Sequence, residues 1–181
     1  SRNQLFSKIY GETLWKPIKG QEFGTKTLTN VKVQGDTLFA VKRRADFALS
    51  YSVDKGETWT DIKSPLFFSH RIEDFYIEGN SLYALSYTDT EPNNKSALFL
   101  SKDKGQTWEK VTNVPGQFQY SFIEKTGDTL FLARPPINAQ IVDTTYSGVV
   151  RSTDKGQTWE IMNEGLGSRY ISFLKAKGNI L

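Results

Sequence analysis

The sequence predicts an all-β fold of repeated four-stranded antiparallel units, and three observations support this prediction. Aromatic residues make up 13% of the 181 residues and there is one Met, a composition that suits half-buried strands better than helices. One motif occurs three times, as SVDKGETW at 52–59, SKDKGQTW at 101–108 and STDKGQTW at 152–159. The copies alternate with a second landmark, a Gly-Asp or Gly-Asn pair before an apolar run, which indicates a tight turn between two strands.

The four strands of a repeat are clearest in the central copy. We predict strand A in RIEDFYIEG (71–79), strand B in SLYALSY (81–87), strand C in SALFLSKD (96–103) and strand D in TWEKVTN (107–113). The motif copies are 49 and 51 residues apart, and four strands in a period of about 40–50 residues are typical of a β-propeller blade. The sequence therefore predicts a β-propeller.

The predicted blades account for nearly the whole chain, 1–181, as a single propeller domain or propeller fragment. Three full units cover 26–64, 71–113 and 118–163, and two partial units cover 1–19 and 168–181. In the first partial unit, SKIYGETLW at 7–15 looks like a degenerate copy of the motif in which Ile9 replaces the Asp. The second partial unit gives a strand A and the start of a strand B. The chain is then either a four-bladed ring, with one blade shared between its ends, or a piece of a larger propeller.

Every position of the repeated motif has a role in reversing the chain between strands C and D. The glycine permits a positive φ, the aspartate accepts hydrogen bonds from nearby backbone N–H groups, and the serine hydroxyl joins that network. The threonine begins the return strand, and the tryptophan buries its ring against the neighbouring sheet. No histidine or second carboxylate stands at a fixed offset, as catalysis would require, so we predict a structural role. The predicted structural residues are Ser52, Asp54, Gly56, Thr58, Trp59, Ser101, Asp103, Gly105, Thr107, Trp108, Ser152, Asp154, Gly156, Thr158 and Trp159.

The composition argues against several classes of site. The chain has no Cys and one histidine, His70, so we predict no metal site and no cofactor, and we expect His70 on a surface loop. The net charge of +3 is spread along the chain without a run of like charges, which argues against a nucleic-acid partner. No apolar stretch reaches the roughly 18 residues of a membrane span, so none is predicted.

Loop lengths indicate which edge of the predicted blades binds a ligand. Because strands alternate in direction, the A–B turns and the repeated motif lie at one edge, and the B–C and D–A loops lie at the other. From Gly to Gly, the segment containing the B–C loop grows from 21 to 26 to 29 residues, and variable loops commonly carry binding residues. Arginines there could pair with a carboxylate or phosphate, and aromatic residues could stack on a sugar ring or a peptide. The ligand-binding candidates are Arg43, Arg44, Arg71, Tyr87, Phe118, Tyr120, Arg134 and Tyr146.

The repeated motif is the Asp box, and its three copies closely resemble those of the Asp-box (BNR repeat) β-propeller superfamily. That superfamily includes sialidases, xyloglucan-cleaving glycosidases, sortilin-type receptors and photosystem assembly factors, so the resemblance specifies the fold and not the function. It implies an exported protein, extracellular or periplasmic. A sialidase would need an arginine triad, a Tyr–Glu pair and an acid, and neither the Tyr–Glu pair nor the acid is assignable in this sequence. The resemblance therefore favours a non-catalytic module that binds a carbohydrate or a protein, with a fragment of a sialidase-like or xyloglucanase-like glycoside hydrolase as the alternative.

Overall fold

The computed structural model confirms the predicted fold class. The described chain forms three four-stranded antiparallel sheets, and in each sheet the strands follow one another in sequence order, as they do in a propeller blade. The structure describes residues 6–7, 13–14, 16–17, 27–43, 49–67, 70–88, 96–111, 114–115, 119–134, 148–178 and 180–181.

The first of two compact units, residues 1–68, contains one complete blade. A two-stranded antiparallel sheet pairs β1 (Phe6–Ser7) with β2 (Lys16–Pro17), at the two ends of the degenerate motif copy. The blade consists of β3 (Thr27–Gln34), β4 (Thr37–Arg43), β5 (Leu49–Ser52) and β6 (Thr60–Ile62), followed by a 3-10 turn at Pro65–Phe67. Inside this sheet the buried ammonium of Lys42 pairs with the carboxylate of Asp61, which also accepts a hydrogen bond from Ser50.

The second compact unit, residues 69–181, contains two complete blades. The first of these consists of β7 (Arg71–Glu78), β8 (Ser81–Tyr87), β9 (Ser96–Ser101) and β10 (Glu109–Val111). The next consists of β11 (Phe122–Thr126), β12 (Thr129–Ala133), β13 (Val149–Ser152) and β14 (Glu160–Ile161). We call them the central and third blades. All four strands predicted for the central repeat are present.

The turns between strands A and B depend on glycine. Gly79 and Gly127 have φ values of +60° and +53°, a left-handed conformation that other L-residues adopt at a cost. A Cβ at either position would meet nothing within 4 Å, so the backbone conformation and not the available space selects glycine here. The predicted Gly-Asn and Gly-Asp turns thus fix the registers of β7 with β8 and of β11 with β12.

An apolar layer joins the central and third blades. Alternation along the strands places one face of each sheet in this layer, and aromatic and aliphatic side chains from both sheets form a single buried cluster. Its members are Tyr83, Leu85, Leu98, Leu100, Tyr120, Ile123, Leu130, Leu132 and Val150. A polar link crosses the same layer, because the buried Asp74 carboxylate accepts a hydrogen bond from the Ile123 N–H at 3.0 Å. The two A strands, β7 and β11, are therefore tied side by side.

The C-terminal segment differs from the predicted strand pair. Among the described residues after 161, one isolated bridge joins Lys177 to Ile180 around Gly178, and a strand requires more paired residues than this. The segment nevertheless packs beside β11, as β11 packs beside β7. Lys175 donates a hydrogen bond to the buried Glu124 at 2.9 Å, and Leu174 lies in a second apolar cluster on the third blade. It occupies the place of a further strand A without a strand ladder.

Candidate functional site

The three repeated motifs form turns with the same hydrogen bonds, which we call the repeat turns (52–59, 101–108 and 152–159). In the second repeat turn the Ser101 hydroxyl accepts from the Gly105 N–H at 2.7 Å and donates to the Asp103 carboxylate at 2.8 Å. That carboxylate also accepts from the Thr107 N–H at 2.8 Å and the Thr107 hydroxyl at 2.6 Å. The Trp108 indole N–H donates to the Gly105 carbonyl at 3.0 Å. The aspartate thus holds both strands of the hairpin.

These hydrogen bonds keep the three aspartates ionised. They lower the pKa of Asp54, Asp103 and Asp154 from 3.8 to about 2, and the largest cause in each case is the threonine hydroxyl, followed by the threonine N–H. Hydrogen bonds to the charged form stabilise it. At neutral pH these carboxylates have no proton to donate, and their oxygens already accept hydrogen bonds from the turn.

The lysine in each repeat turn has a role that sequence reasoning missed. Lys55, Lys104 and Lys155 have φ values of 59–61°, a left-handed conformation that is uncommon for residues other than glycine. We expected a positive φ at the glycine alone. The Asp-Lys-Gly triplet in all three copies was the available signal, because two consecutive positive φ values are needed to close this reversal.

The third repeat turn packs on the central blade. Trp159 packs against the apolar cluster between the two blades. We expected its indole to be buried, and it is half-buried. A Cβ on Gly156 would lie 2.5 Å from a methyl carbon of Val111 in β10, so only glycine fits without a shift. This glycine therefore has two functions, a positive φ and a close approach to the neighbouring blade.

In the central blade, the repeat turn and the strand ends that flank the predicted B–C loop lie at opposite edges of the sheet. The Lys104 N–H donates to the Asn80 carbonyl at 2.9 Å, which ties the repeat turn to the A–B turn. At the other end of the sheet, Arg71, Tyr87 and Ser96 are paired across β7, β8 and β9 in one row. The eight residues of β7 separate the two edges by about 25 Å. We call the second edge the loop edge.

Arg71 is held in place at the loop edge by two neighbours. Its Nε–H donates to the Glu73 carboxylate at 2.5 Å, and its guanidinium carbon lies 5.5 Å from the centre of the Tyr87 ring, within the range of a cation–π contact. The Arg71 side chain is 48% exposed, whereas that of Glu73 is 5% exposed. The arrangement presents a positive, partly open fork supported by a buried carboxylate and an aromatic ring.

Glu73 was absent from the sequence-based candidates. The pairing of β7 with β8 shifts between Ile72 and Asp74, so Glu73 is an extra residue in the strand. The bulge disturbs the alternation on which sequence reasoning relies, which explains why its burial was not expected.

Two further candidates lie along the same layer between the blades. The Tyr120 N–H donates to the Ser96 hydroxyl at 2.8 Å, and Tyr120 is fully buried in the apolar cluster. Arg134 directly follows β12, and its N–H donates to the Gly148 carbonyl at 3.2 Å. Because it comes two residues after Leu132, it lies on the same face of the sheet as Leu132, toward the central blade. Arg134 is 5% exposed. The structure therefore brings Arg71, Tyr87, Tyr120 and Arg134 to one layer, but Tyr120 and Arg134 are buried there.

The other four ligand-binding candidates lie wholly or partly outside the described residues. Arg43 ends β4, and its side chain lies outside the described residues, as do all of Arg44, Phe118 and Tyr146. His70, expected on a surface loop, is half-buried: its Nδ1 lies 3.2 Å from the Ser86 hydroxyl and its ring packs edge-on against Phe99. Within the part of the chain that is described, no three His, Cys, Asp or Glu side chains form a group suited to a metal ion.

Comparison with known structures supports the propeller fold. A structure of YCF48 bound to D1 peptide matches with a TM-score of 0.52 and 19% identity, over 75% of this chain and 40% of that chain. YCF48 from Cyanidioschyzon merolae matches with a TM-score of 0.49 and 15% identity, over 75% of this chain and 36% of that one. A GH74 xyloglucanase from Xanthomonas campestris matches with a TM-score of 0.48 and 15% identity, over 73% of this chain and 19% of that one.

The likeness to the YCF48 complex, at a TM-score of 0.52, supports a fold class and not an activity. The chain spans less than half the length of each of these proteins, and identities below a fifth leave function open. No family model matches this sequence, and no curated protein matches it either. Among the described residues there is no helix long and apolar enough to cross a membrane. The chain is thus a protein of β-propeller fold.

Proposed function

We propose that this chain is a non-catalytic binding module of the Asp-box propeller superfamily, from an exported protein, and that it holds a protein ligand at the loop edge. The observation that carries the proposal is the half-exposed Arg71 guanidinium, fixed there by Glu73 and Tyr87. A side chain that is oriented before binding loses less conformational entropy when the ligand arrives. The variable loops predicted from the sequence leave the same edge.

The repeat-turn aspartates fit a structural role and not that of a general acid. A general acid needs a proton at the working pH, and the pKa of each repeat-turn aspartate is lowered to about 2. Their hydrogen bonds are also confined to the turn that each one closes. Three equal copies of this arrangement fit a device that closes three hairpins.

A protein ligand is favoured over a carbohydrate by the state of the two aromatic candidates that the structure describes. Stacking on a sugar ring needs an open aromatic face, but the Tyr87 ring is covered by the Arg71 guanidinium and Tyr120 is fully buried. A propeller with a similar fold, YCF48, has been solved with a D1 peptide bound. An arginine fork is suited to binding the carboxylate groups of a peptide.

Arrays of peptides and glycans test the proposal, combined with an assay on fluorogenic sialosides and xyloglucan. We expect the purified chain to bind peptides and to leave both hydrolase substrates intact. Binding to glycans alone would replace the protein ligand with a carbohydrate. Turnover of either substrate would contradict the proposal and establish the glycoside hydrolase alternative.

A further inference from the structure

We propose that Arg71 binds a carboxylate of the protein ligand, either an acidic side chain or a C-terminal carboxylate. This inference rests on the proposed function and names the chemistry of the same edge. Of the four arginine candidates, Arg71 is the one whose described side chain is open to solvent, since Arg134 is buried. A ligand that reaches the loop edge of the central blade therefore meets this guanidinium.

The guanidinium has donors available for a ligand. Arginine carries five N–H donors in a planar fork, and the Nε–H of Arg71 is directed to Glu73. No other hydrogen bond or ion pair of Arg71 occurs with the described residues. The four N–H groups on the two Nη atoms are left to bind a ligand, and their geometry matches the two oxygens of a carboxylate.

Glu73 acts as a positioning residue for this fork. Its carboxylate is buried and fixes one side of the guanidinium, while the Tyr87 ring lies against the face. The negative charge of Glu73 also limits the charge of the ligand group. A doubly charged phosphate would be repelled by this carboxylate more strongly than a singly charged carboxylate would be, so the pair favours a carboxylate.

The third blade offers a matched control. Arg151 also donates its Nε–H to a glutamate, Glu160, and its side chain is 40% exposed. Glu160 is 55% exposed, however, and thus leaves that guanidinium without a buried support. The pair lies between β13 and β14, outside the row that forms the loop edge of the central blade. If any exposed Arg–Glu pair were sufficient, the two sites would behave alike.

The experiment uses the whole chain and an array of random short peptides in three forms: unmodified, with Asn and Gln in place of Asp and Glu, and with an amidated C-terminus. The affinities of the best-binding peptide in all three forms are then measured by calorimetry. Loss of binding on side-chain replacement assigns an acidic side chain, and loss on amidation assigns the C-terminal carboxylate. We expect one of these changes to weaken binding about ten- to hundredfold, as for a charge-assisted hydrogen bond.

Two variants test whether Arg71 is the residue that binds the carboxylate of the peptide. Replacing Arg71→Gln together with Glu73→Gln removes both charges of this ion pair, and we expect it to abolish the preference for the acidic peptide. The same pair of changes at the control site, Arg151→Gln with Glu160→Gln, should leave that preference intact. Equal binding of all three peptide forms, or an unchanged preference in the Arg71 variant, would overturn this inference while leaving peptide binding itself established. Absence of peptide binding in every form would instead overturn the proposed function.

Discussion

Ser101 shows how much of each repeat turn depends on one hydroxyl. The Ser101 hydroxyl accepts a hydrogen bond from the Gly105 N–H and donates one to the Asp103 carboxylate. The Ser101 side chain has no solvent exposure. Water cannot take the place of this hydroxyl at such a position, so the turn needs the Ser101 side chain for its own closure. The same contacts recur at Ser52 and Ser152.

We therefore expect Ser101→Ala to destabilise the fold. Leaving the buried Gly105 N–H without its acceptor costs about 1–3 kcal/mol, measured as the free energy of unfolding in urea. The control is Ser168→Ala, because the Ser168 hydroxyl accepts its hydrogen bond from Tyr170 at an exposed site, and surface changes of this kind usually cost less than about 0.5 kcal/mol. Equal effects of the two changes would show that the turn does not rely on this hydroxyl.

The repeat-turn aspartates give the stability a defined pH dependence. Their pKa is about 2 in the folded chain against an ordinary 3.8, so folding favours the ionised form and the unfolded chain binds protons first on acidification. Their contribution to stability is complete above the ordinary value and is lost as the pH falls toward 2. The Asp103→Asn variant should show a smaller fall in melting temperature between pH 5 and pH 2 than the unaltered chain, since one of the three groups no longer titrates. An identical fall in both proteins would contradict this assignment.

At the scale of elements, the third repeat turn and the C-terminal segment show how one blade is packed on the next. Gly156 brings the turn against Val111 of the central blade, and Leu174 packs on the third blade with Phe131 and Val149. Both contacts are made by residues outside the strand ladders. Packing between blades is thus a separate requirement from strand pairing within them.

Gly156→Ala tests the close approach of the third repeat turn. The new Cβ would meet the Val111 methyl at 2.5 Å, and we expect overpacking to add about 1–3 kcal/mol of destabilisation to the strain of a positive φ. Gly165→Ala is the control, because Gly165 also has a positive φ, of 77°, but nothing lies within 4 Å of its Cβ position. The difference between the two variants in chemical denaturation measures the contact, and no difference would argue that the blades do not meet there.

Leu174→Ala tests whether the C-terminal segment is part of the packed fold. Leu174 is 8% exposed, so we expect a cost at the lower end of the range for buried Leu→Ala changes, about 2–3 kcal/mol. Its neighbour Phe173 is 71% exposed, and Phe173→Ala should leave the melting temperature nearly unchanged. If neither change affected stability, the segment would not be docked on the third blade.

At the scale of the whole molecule, the fold was more predictable than the site. The blades follow from local signals, namely the Gly-Asp and Gly-Asn turns, the repeated motif and the alternation in segments such as SLYALSY. The site depends on which side chains from different strands come together. Glu73 is buried because of a bulge in β7, and Arg134 and Tyr120 are buried by packing between blades. At the C-terminal segment, the described residues form one bridge where a ladder was expected, because a strand is defined by its partner and not by its own sequence.

The proposed function assigns hairpin closure to one edge of the central blade and ligand binding to the other. The most direct test of this division compares Ser101→Ala with the double change Arg71→Gln and Glu73→Gln, each measured for melting temperature and for affinity toward the best-binding acidic peptide. We predict that Ser101→Ala lowers the melting temperature and leaves the affinity at 25 °C unchanged, whereas the double change abolishes the preference for the acidic peptide in a chain that still folds cooperatively. Loss of affinity in Ser101→Ala, with full affinity in the folded double variant, would contradict the account and place the binding site at the repeat turns.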